Sequence, residues 1–564
     1  MPYVKLGASH RVLAAIFSIL RTDQPNVFNR VDRSTTSRVS EKKVSLNRSI
    51  VTWLSFKNLP KNFFNDEETK NFFALFNKEI QLPSRSQMHT MIKEEFKSMQ
   101  DNVISILEKN DSKFAFTLDA WSGRTRKSYY GVTIHFIDKN WTLNSFTLDF
   151  RPSKGKHSGK DIADIFYKIL KTYKVQNSIA GITLDNASAN TKFITELSKI
   201  LEKDDADFDR EDQHFRCLAH VLNLGVQDIL KLMEFSGVDS EDDDYDSDDY
   251  QRGNQEANTI TNVVNKIRQL HKKIRNSEAL SQKLEGYCIA FEVEYKTPPI
   301  DSKTRWNSTF DMLDAAHDMK DALNQMTKKH DDLGHLSMQD VEWNLIKILI
   351  EFLSDFKKVS TKISGEKYVT LPSAVIAFNC LLNKIERKSL ELNTQNKSKV
   401  DEKLITAFQK GEVKLLTHYK KCNWIYCISL ILDPRIKAVG LQSSAWGTEM
   451  ADTTLQKFKD IFKKYYDKYF QQEAVEQPAK KKPRVSDIDL DYSVLFVRPE
   501  KSVTWMTELN RYLEDPRPDE ETDILQWWKL YAREYPITAR IARDVLCIPA
   551  TSVPCESDTK EYNF

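Results

Sequence analysis

The sequence predicts a mixed α/β core joined to a long helical block, and three observations carry that prediction. Two short apolar runs, FAFTLDAWS at Phe114–Ser122 and GITLDNASAN at Gly181–Asn190, each end on an aspartate. Between them lie two more strand-like runs and one amphipathic helix. From Asn254 onward, apolar residues recur at helical spacing instead. β-branched and aromatic residues that stop at a carboxylate describe a buried strand with an acid at its carboxyl end. Open α/β sheets bind their ligands at that edge.

Composition narrows the class. The 564 residues carry 83 Lys+Arg against 81 Asp+Glu, so a formal charge of +2 excludes a global basic field and confines any nucleic-acid surface to local patches. Seven scattered cysteines do not form a disulfide framework, and no apolar run reaches the length of a membrane span. Val12–Leu20 has the length of a signal h-region but runs into Arg21 without a small-residue cleavage site, and reads as a buried helix.

In order, residues 1–48 form a flexible basic arm, with nine Lys/Arg against three Asp/Glu in the first fifty residues. Residues 49–112 are a helical N-terminal region, whose Phe72, Phe73 and Phe76 stripe reads as packing. The sheet follows, with strands at Phe114–Ser122, Tyr129–Asp138 and Trp141–Phe150, the latter two joined tightly through Asp138, Lys139 and Asn140. A helix opening at Ser158 then crosses to Gly181–Asn190, which must run parallel to its partner. Three antiparallel strands, a helix and a parallel strand open an RNase H-like sheet, in which the first and fourth strands adjoin and Asp119 meets Asp185. Alone, an aspartate after a strand is an ordinary turn former. Two of them in this order point to a pair of metal-binding carboxylates.

His214–Leu230 reads as a helix bearing Cys217 and His220 on one face; with only His214 nearby, the ligand count argues against structural zinc. Residues 236–253 are an acidic disordered loop, 254–470 a helical insertion domain, and 471–490 a linker. The linker contains Lys480, Lys481, Lys482 and Arg484, a cluster of nuclear-localisation type. Residues 491–564 return to the core through an aromatic helix with Trp527, Trp528 and Tyr531, an aromatic load too high for a free surface.

These motifs, LDAWS, SGKDIADIF, LDNASAN, Cys217-x-x-His220, Arg305–Trp306 and the closing WWKLYAREYP…CIPATSVPCE, together resemble the hAT superfamily (Ac/hobo-like) of DNA transposases. The resemblance covers Leu82 to Glu556. It implies an RNase H-like sheet interrupted by a helical insertion, and a C-terminal dimerisation region. It also implies a catalytic and metal-binding triad of Asp119, Asp185 and Glu556 that uses Mg²⁺ or Mn²⁺ as a two-metal site. DNA, as transposon ends and target, is the implied partner, with cleavage, hairpin formation and strand transfer in the nucleus. Trp306 would stack a flipped base, Arg305 would hold a phosphate, and Cys217 with His220 would line the same site. The sequence departs from the family in two places. It shows no BED-type zinc finger, and Glu556 continues as Ser-Asp-Thr-Lys in place of the family's Arg-x-Phe-Ser. The alternative expectation is therefore a non-catalytic nuclear protein that binds DNA and dimerises.

Overall fold

The computed structural model describes residues 48–55, 57, 59–76, 81–122, 128–153, 158–234, 263–302, 306–394, 397–419, 424–442, 447–476 and 505–552. They fall into two units, one drawn from Met1–Cys217, Gly365–Pro372 and Asn423–Phe564, the other from Leu218–Ser364 and Ser373–Cys422.

The first unit is built on a five-stranded sheet of order β3-β2-β1-β4-β5. Helix α1 (Arg85–Glu108) precedes it, opened by a capping box in which Ser84 and Gln87 satisfy each other's backbone amides. Strands β1 (Phe114–Ser122), β2 (Ser128–Ile137) and β3 (Leu143–Pro152) form an antiparallel meander. The β2–β3 turn is set by Asp138, whose Oδ1 accepts from Asn140 N and Thr142 N, while Trp141 takes a left-handed φ of 62°. That turn displaces the third strand by two residues from its sequence-read start.

Helix α2 (Gly159–Tyr173) is capped by Ser158 and leads to β4 (Ile179–Leu184), which pairs parallel to β1. Helix α3 (Ser188–Glu202) returns the chain to β5 (His214–Arg216), parallel to β4. The sequence reads His214–Leu230 as one helix. The structure instead forms a three-residue strand first, and helix α4 (Leu218–Glu234) starts after Cys217. Three residues are too few for a period of two to show against the helical pattern behind them.

The two faces of the sheet bury different partners. Phe114, Phe116 and Leu118 of β1 and Ile182 and Leu184 of β4 pack on α2 and α3, with Phe116 and Phe193 both edge-on to Phe166. Burying each such side chain stabilises the fold by roughly 1.5–3 kcal/mol. Gly159 sits where a Cβ would lie 2.6 Å from the Phe193 backbone nitrogen, so α2 approaches α3 this closely only with glycine there.

On the opposite face, the C-terminal residues cover the sheet. Helices α5 (Trp424–Ile431), α6 (Gly447–Glu476), α7 (Trp505–Glu514), α8 (Ile524–Tyr531) and α9 (Pro536–Leu546) belong to this unit. Apart from the short Gly365–Pro372 segment, the sheet-bearing unit thus regains the chain at Asn423, earlier than the boundary at 470 drawn from helical periodicity, because Tyr426 of the apolar 425–436 stretch lies on Phe215 of β5. Periodicity reports a helix and not the body on which it packs.

Two bonds stitch the entrance of β1 to α9, and a third ties α9 to α6. Lys113 N donates to Asp544 Oδ1 at 2.7 Å, Arg543 Nη1 to Asp111 Oδ1 at 2.7 Å, and Tyr465 Oη to Asp544 Oδ2 at 2.7 Å. Burial nevertheless holds the Asp544 carboxyl above the usual carboxylate range, against those donors.

The second unit is helical. Val263–Arg275, Glu278–Ala290, Trp306–Asp318, Lys320–Lys329, Asp340–Ile363, most of Leu371–Leu392 and Lys399–Tyr419 are its main helices besides α4. Helix α4 and Lys399–Tyr419 pass closely at glycines: a Cβ on Gly225 would meet Leu415, and one on Gly411 would lie 3.2 Å from the Gly225 carbonyl. A part-buried Arg268–Asp301 fork, at 2.7 and 2.8 Å, ties the first of these helices to the segment leading into Trp306.

His135 of β2 is wholly buried, its Nε2 2.9 Å from Thr133 Oγ1, and burial pushes its pKa down to about 3. An unfolded histidine binds its proton near pH 6.5, so the unfolded chain gains protons first as pH falls. Stability should therefore be complete above pH 6.5 and decline below it, by up to about 1.4 kcal/mol per pH unit from this residue, until about pH 3. Urea midpoints at pH 7.5 and 5.0 check this, and His135→Gln should lessen the difference between them.

Candidate active site at the carboxyl edge of the sheet

The register of the parallel pair places the two aspartates. Thr117 of β1 is the partner of Thr183 of β4. Asp119 and Asp185 each stand two residues beyond that pair, so the period of two puts both on the face of their threonines and level with one another. That face is the one covered by the C-terminal segment, since Thr183 Oγ1 donates to Pro549 O at 2.8 Å. Gly131, which has no side chain, is the antiparallel partner of Asp119. Beneath the aspartates, Thr147, Thr133, Thr117 and Thr183 are successive register partners across four strands, all buried. Thr117 and Thr133 share a hydrogen bond.

Both aspartates are half-buried and held by local donors. Asp119 Oδ1 accepts from Ala120 N at 2.8 Å. Asp185 Oδ1 accepts from Ala187 N at 2.9 Å and from Asn190 Nδ2 at 2.6 Å, which leaves Oδ2 outside these bonds. Asn190 is the residue that sequence reasoning passed over. Its signal was present as the last polar residue of LDNASAN, one turn into α3. Two level, pre-oriented carboxylates on a rigid sheet are a donor set of oxygens that suits a hard divalent cation. Among the described residues, no group of three or more His, Cys, Asp or Glu side chains is arranged to hold an ion.

The third acid of the sequence reading, Glu556, lies outside the described residues, as do Arg305 and Lys480, Lys481, Lys482 and Arg484. The chain leading to Glu556 is fixed near the pair. Ser552 N donates to Cys217 Sγ at 3.3 Å, and Cys217 N donates to Leu184 O at 2.7 Å, next to Asp185. Position 556 is four residues on, a span of at most roughly 14 Å. Ile548 adds to this placement, because a Cβ on Gly181 of β4 would press on Phe215 and lie 3.4 Å from Ile548 Cδ1. Glycine at 181 lets the C-terminal segment lie flat on the sheet.

Cys217 is buried with a reduced thiol, and His220 is half-buried in the first turn of α4. Trp306 opens its helix as the sequence suggests, but it is only 2% exposed, edge-on to Phe356, with its backbone amide donating to Asn223 Oδ1 at 3.2 Å. Base stacking needs an open π-face that this conformation does not offer.

Four family models match the chain. They are a ZBED1 RNase-like domain at residues 117–210, a ZBED1 RNase-like helical domain at 215–352, a hAT-like transposase RNase-H fold at 378–469, and the hAT family C-terminal dimerisation region at 508–561. The chain carries the hAT-like RNase-H fold and the C-terminal dimerisation region of hAT transposases. Similar curated proteins include a putative transcriptional regulator, tpeD, of Talaromyces stipitatus, 25% identical over 80% of this chain and 51% of that protein. The putative AC transposase of Zea mays is 23% identical over 88% and 59%, and the zinc finger BED domain-containing protein RICESLEEPER 2 of Oryza sativa subsp. japonica is 23% identical over 81% and 62%. The chain thus spans about half to three fifths of the length of these relatives.

Within the hAT dimerisation region, the tryptophans serve the fold of the unit itself. Trp528 is fully buried, stacks on Trp141 of the β2–β3 turn at 5.8 Å, and donates from Nε1 to Leu432 O at 3.0 Å. Trp527 lies against Tyr531 and Tyr535. Lys437, with a left-handed φ of 51°, donates from Nζ to Tyr512 O and Asp515 O, and burial lowers its ammonium pKa to about 8. Leu530 at 77% and Tyr531 at 39% exposure are the large apolar side chains that α8 leaves open. Trp528→Ala should cost roughly 3–5 kcal/mol of stability. Leu530→Glu should leave the melting temperature unchanged and weaken self-association, read by sedimentation at micromolar concentration.

Proposed function

We propose that this chain cuts and joins DNA as a hAT transposase, using a divalent cation held by Asp119, Asp185 and Glu556. The observation that carries the reading is the level placement of Asp119 and Asp185 beyond the Thr117–Thr183 pair, beside the segment that leads to Glu556. Mg²⁺ or Mn²⁺ bound between such carboxylates lowers the pKa of water and neutralises charge on a phosphate undergoing in-line displacement. Asp119 is held by its strand, and Asn190 fixes the carboxylate of Asp185, so neither group has to be ordered when DNA arrives. Hairpin formation on flanking DNA would follow cleavage. It requires Trp306 to leave its present packing or another surface to receive the unstacked base. Cys217 would line the approach to the same edge.

Mn²⁺ with a supercoiled plasmid should give nicked product, and Asp119→Ala or Asp185→Ala should lower the rate roughly 100-fold or more. A chain inert in every metal, with variants equal to wild type, would instead match a DNA-binding protein without catalysis. Nuclear residence is proposed from Lys480, Lys481, Lys482 and Arg484, and a fluorescent fusion should lose nuclear accumulation when all four are changed to alanine.

A further inference from the structure

We propose that Arg216 is a phosphate-contacting residue that receives the DNA backbone beside Asp185. The inference rests on the reading of the carboxyl edge as a DNA site, and it assigns that edge its guanidinium. Arg216 is the last residue of β5 and the register partner of Leu184, the residue before Asp185. Its backbone is anchored, since its carbonyl accepts from Tyr426 Oη at 3.0 Å and the next amide donates to Leu184 O. The side chain therefore leaves a fixed point at the edge where both aspartates stand, from the face of its register partner Leu184 and across the edge from the face of the aspartates.

What the guanidinium touches is informative. Other part-buried arginines sit on carboxylates: Arg268 on Asp301, Arg435 on Asp433 and Arg543 on Asp111. Arg216 has no such partner among the described residues. Its contact is Asn186 Oδ1, donated to by Nη1 at a long 3.3 Å, and Asn186 Nδ2 is buried there without an acceptor. A neutral amide compensates a guanidinium weakly, while a phosphate oxygen pair matches its planar fork. Burial, with the Arg216 charge adding to it, pushes the pKa of His214 down to about 4, so that imidazole is neutral beside the guanidinium near neutral pH. The side chain leaves on the Asn186 side of β5, opposite buried Cys217. It would thus hold a phosphate flanking the one engaged by the aspartates.

Binding of a 30-base-pair duplex, followed by fluorescence anisotropy across a salt series without divalent metal, tests the assignment independently of cleavage. Arg216→Gln should weaken binding about tenfold at low salt and reduce the slope of log K against log salt by about one, the signature of one lost phosphate contact. Arg216→Lys should retain the slope. Asn186→Asp, which sets a carboxylate against the guanidinium without removing it, should reduce the slope as Arg216→Gln does. Unchanged slopes in Arg216→Gln and Asn186→Asp, whatever the cleavage rate, overturn the proposal. If Asp119→Ala abolishes nicking with the wild-type slope intact while both variants lower it, the two readings stand separately.

Discussion

The parallel pairing of β1 with β4 is the constraint on which the site depends. A parallel pair fixes two chain directions at once, so residues equally far beyond a register pair emerge side by side. Thr117 opposite Thr183 therefore determines that Asp119 and Asp185 share a face and a level. A slip of one residue would send one carboxylate into the α2–α3 core and the other out of it. Within the buried threonine row, Thr117 and Thr133 bond to each other across β1 and β2, and Thr183 is held by Pro549 O.

That pairing would be of little use without the cover on the other face. Asp111, Lys113, Arg543, Asp544 and Tyr465 bring together stretches more than four hundred residues apart in sequence, and Trp528 on Trp141 fastens the same end of the meander at its β2–β3 turn. Asp544 gives up hydration to do so. Burial outweighs the backbone amide of Lys113, the Tyr465 hydroxyl and the nearby charges of Lys113 and Arg543, hence its raised pKa. The hAT dimerisation region is accordingly also a structural half of the sheet domain.

The strands and their acids were legible because each has an unambiguous local signal. β1 appears at the boundaries its apolar run suggests, and Ser158 caps α2 where a serine stands before the helical period. Features set by distant packing were not legible. β5 is too short to show alternation, and the return of the chain at Asn423 depends on where Tyr426 lies. The tryptophan cluster invited a reading as exposed interface, because a sequence cannot say whether an aromatic face meets its own unit or another. Phe72 and Phe76 err in the opposite sense, being 56% and 75% exposed where a helical stripe suggested packing.

The central claim is that Asp119 and Asp185 hold one cation between them. Iron can report this directly. Fe²⁺ placed in a Mg²⁺ site generates hydroxyl radicals that cut the backbone nearby. The account predicts paired cuts around residues 119 and 185, both suppressed by excess Mg²⁺ and both lost in Asp185→Asn. Cuts near one residue alone, or cuts that Mg²⁺ does not suppress, would contradict it.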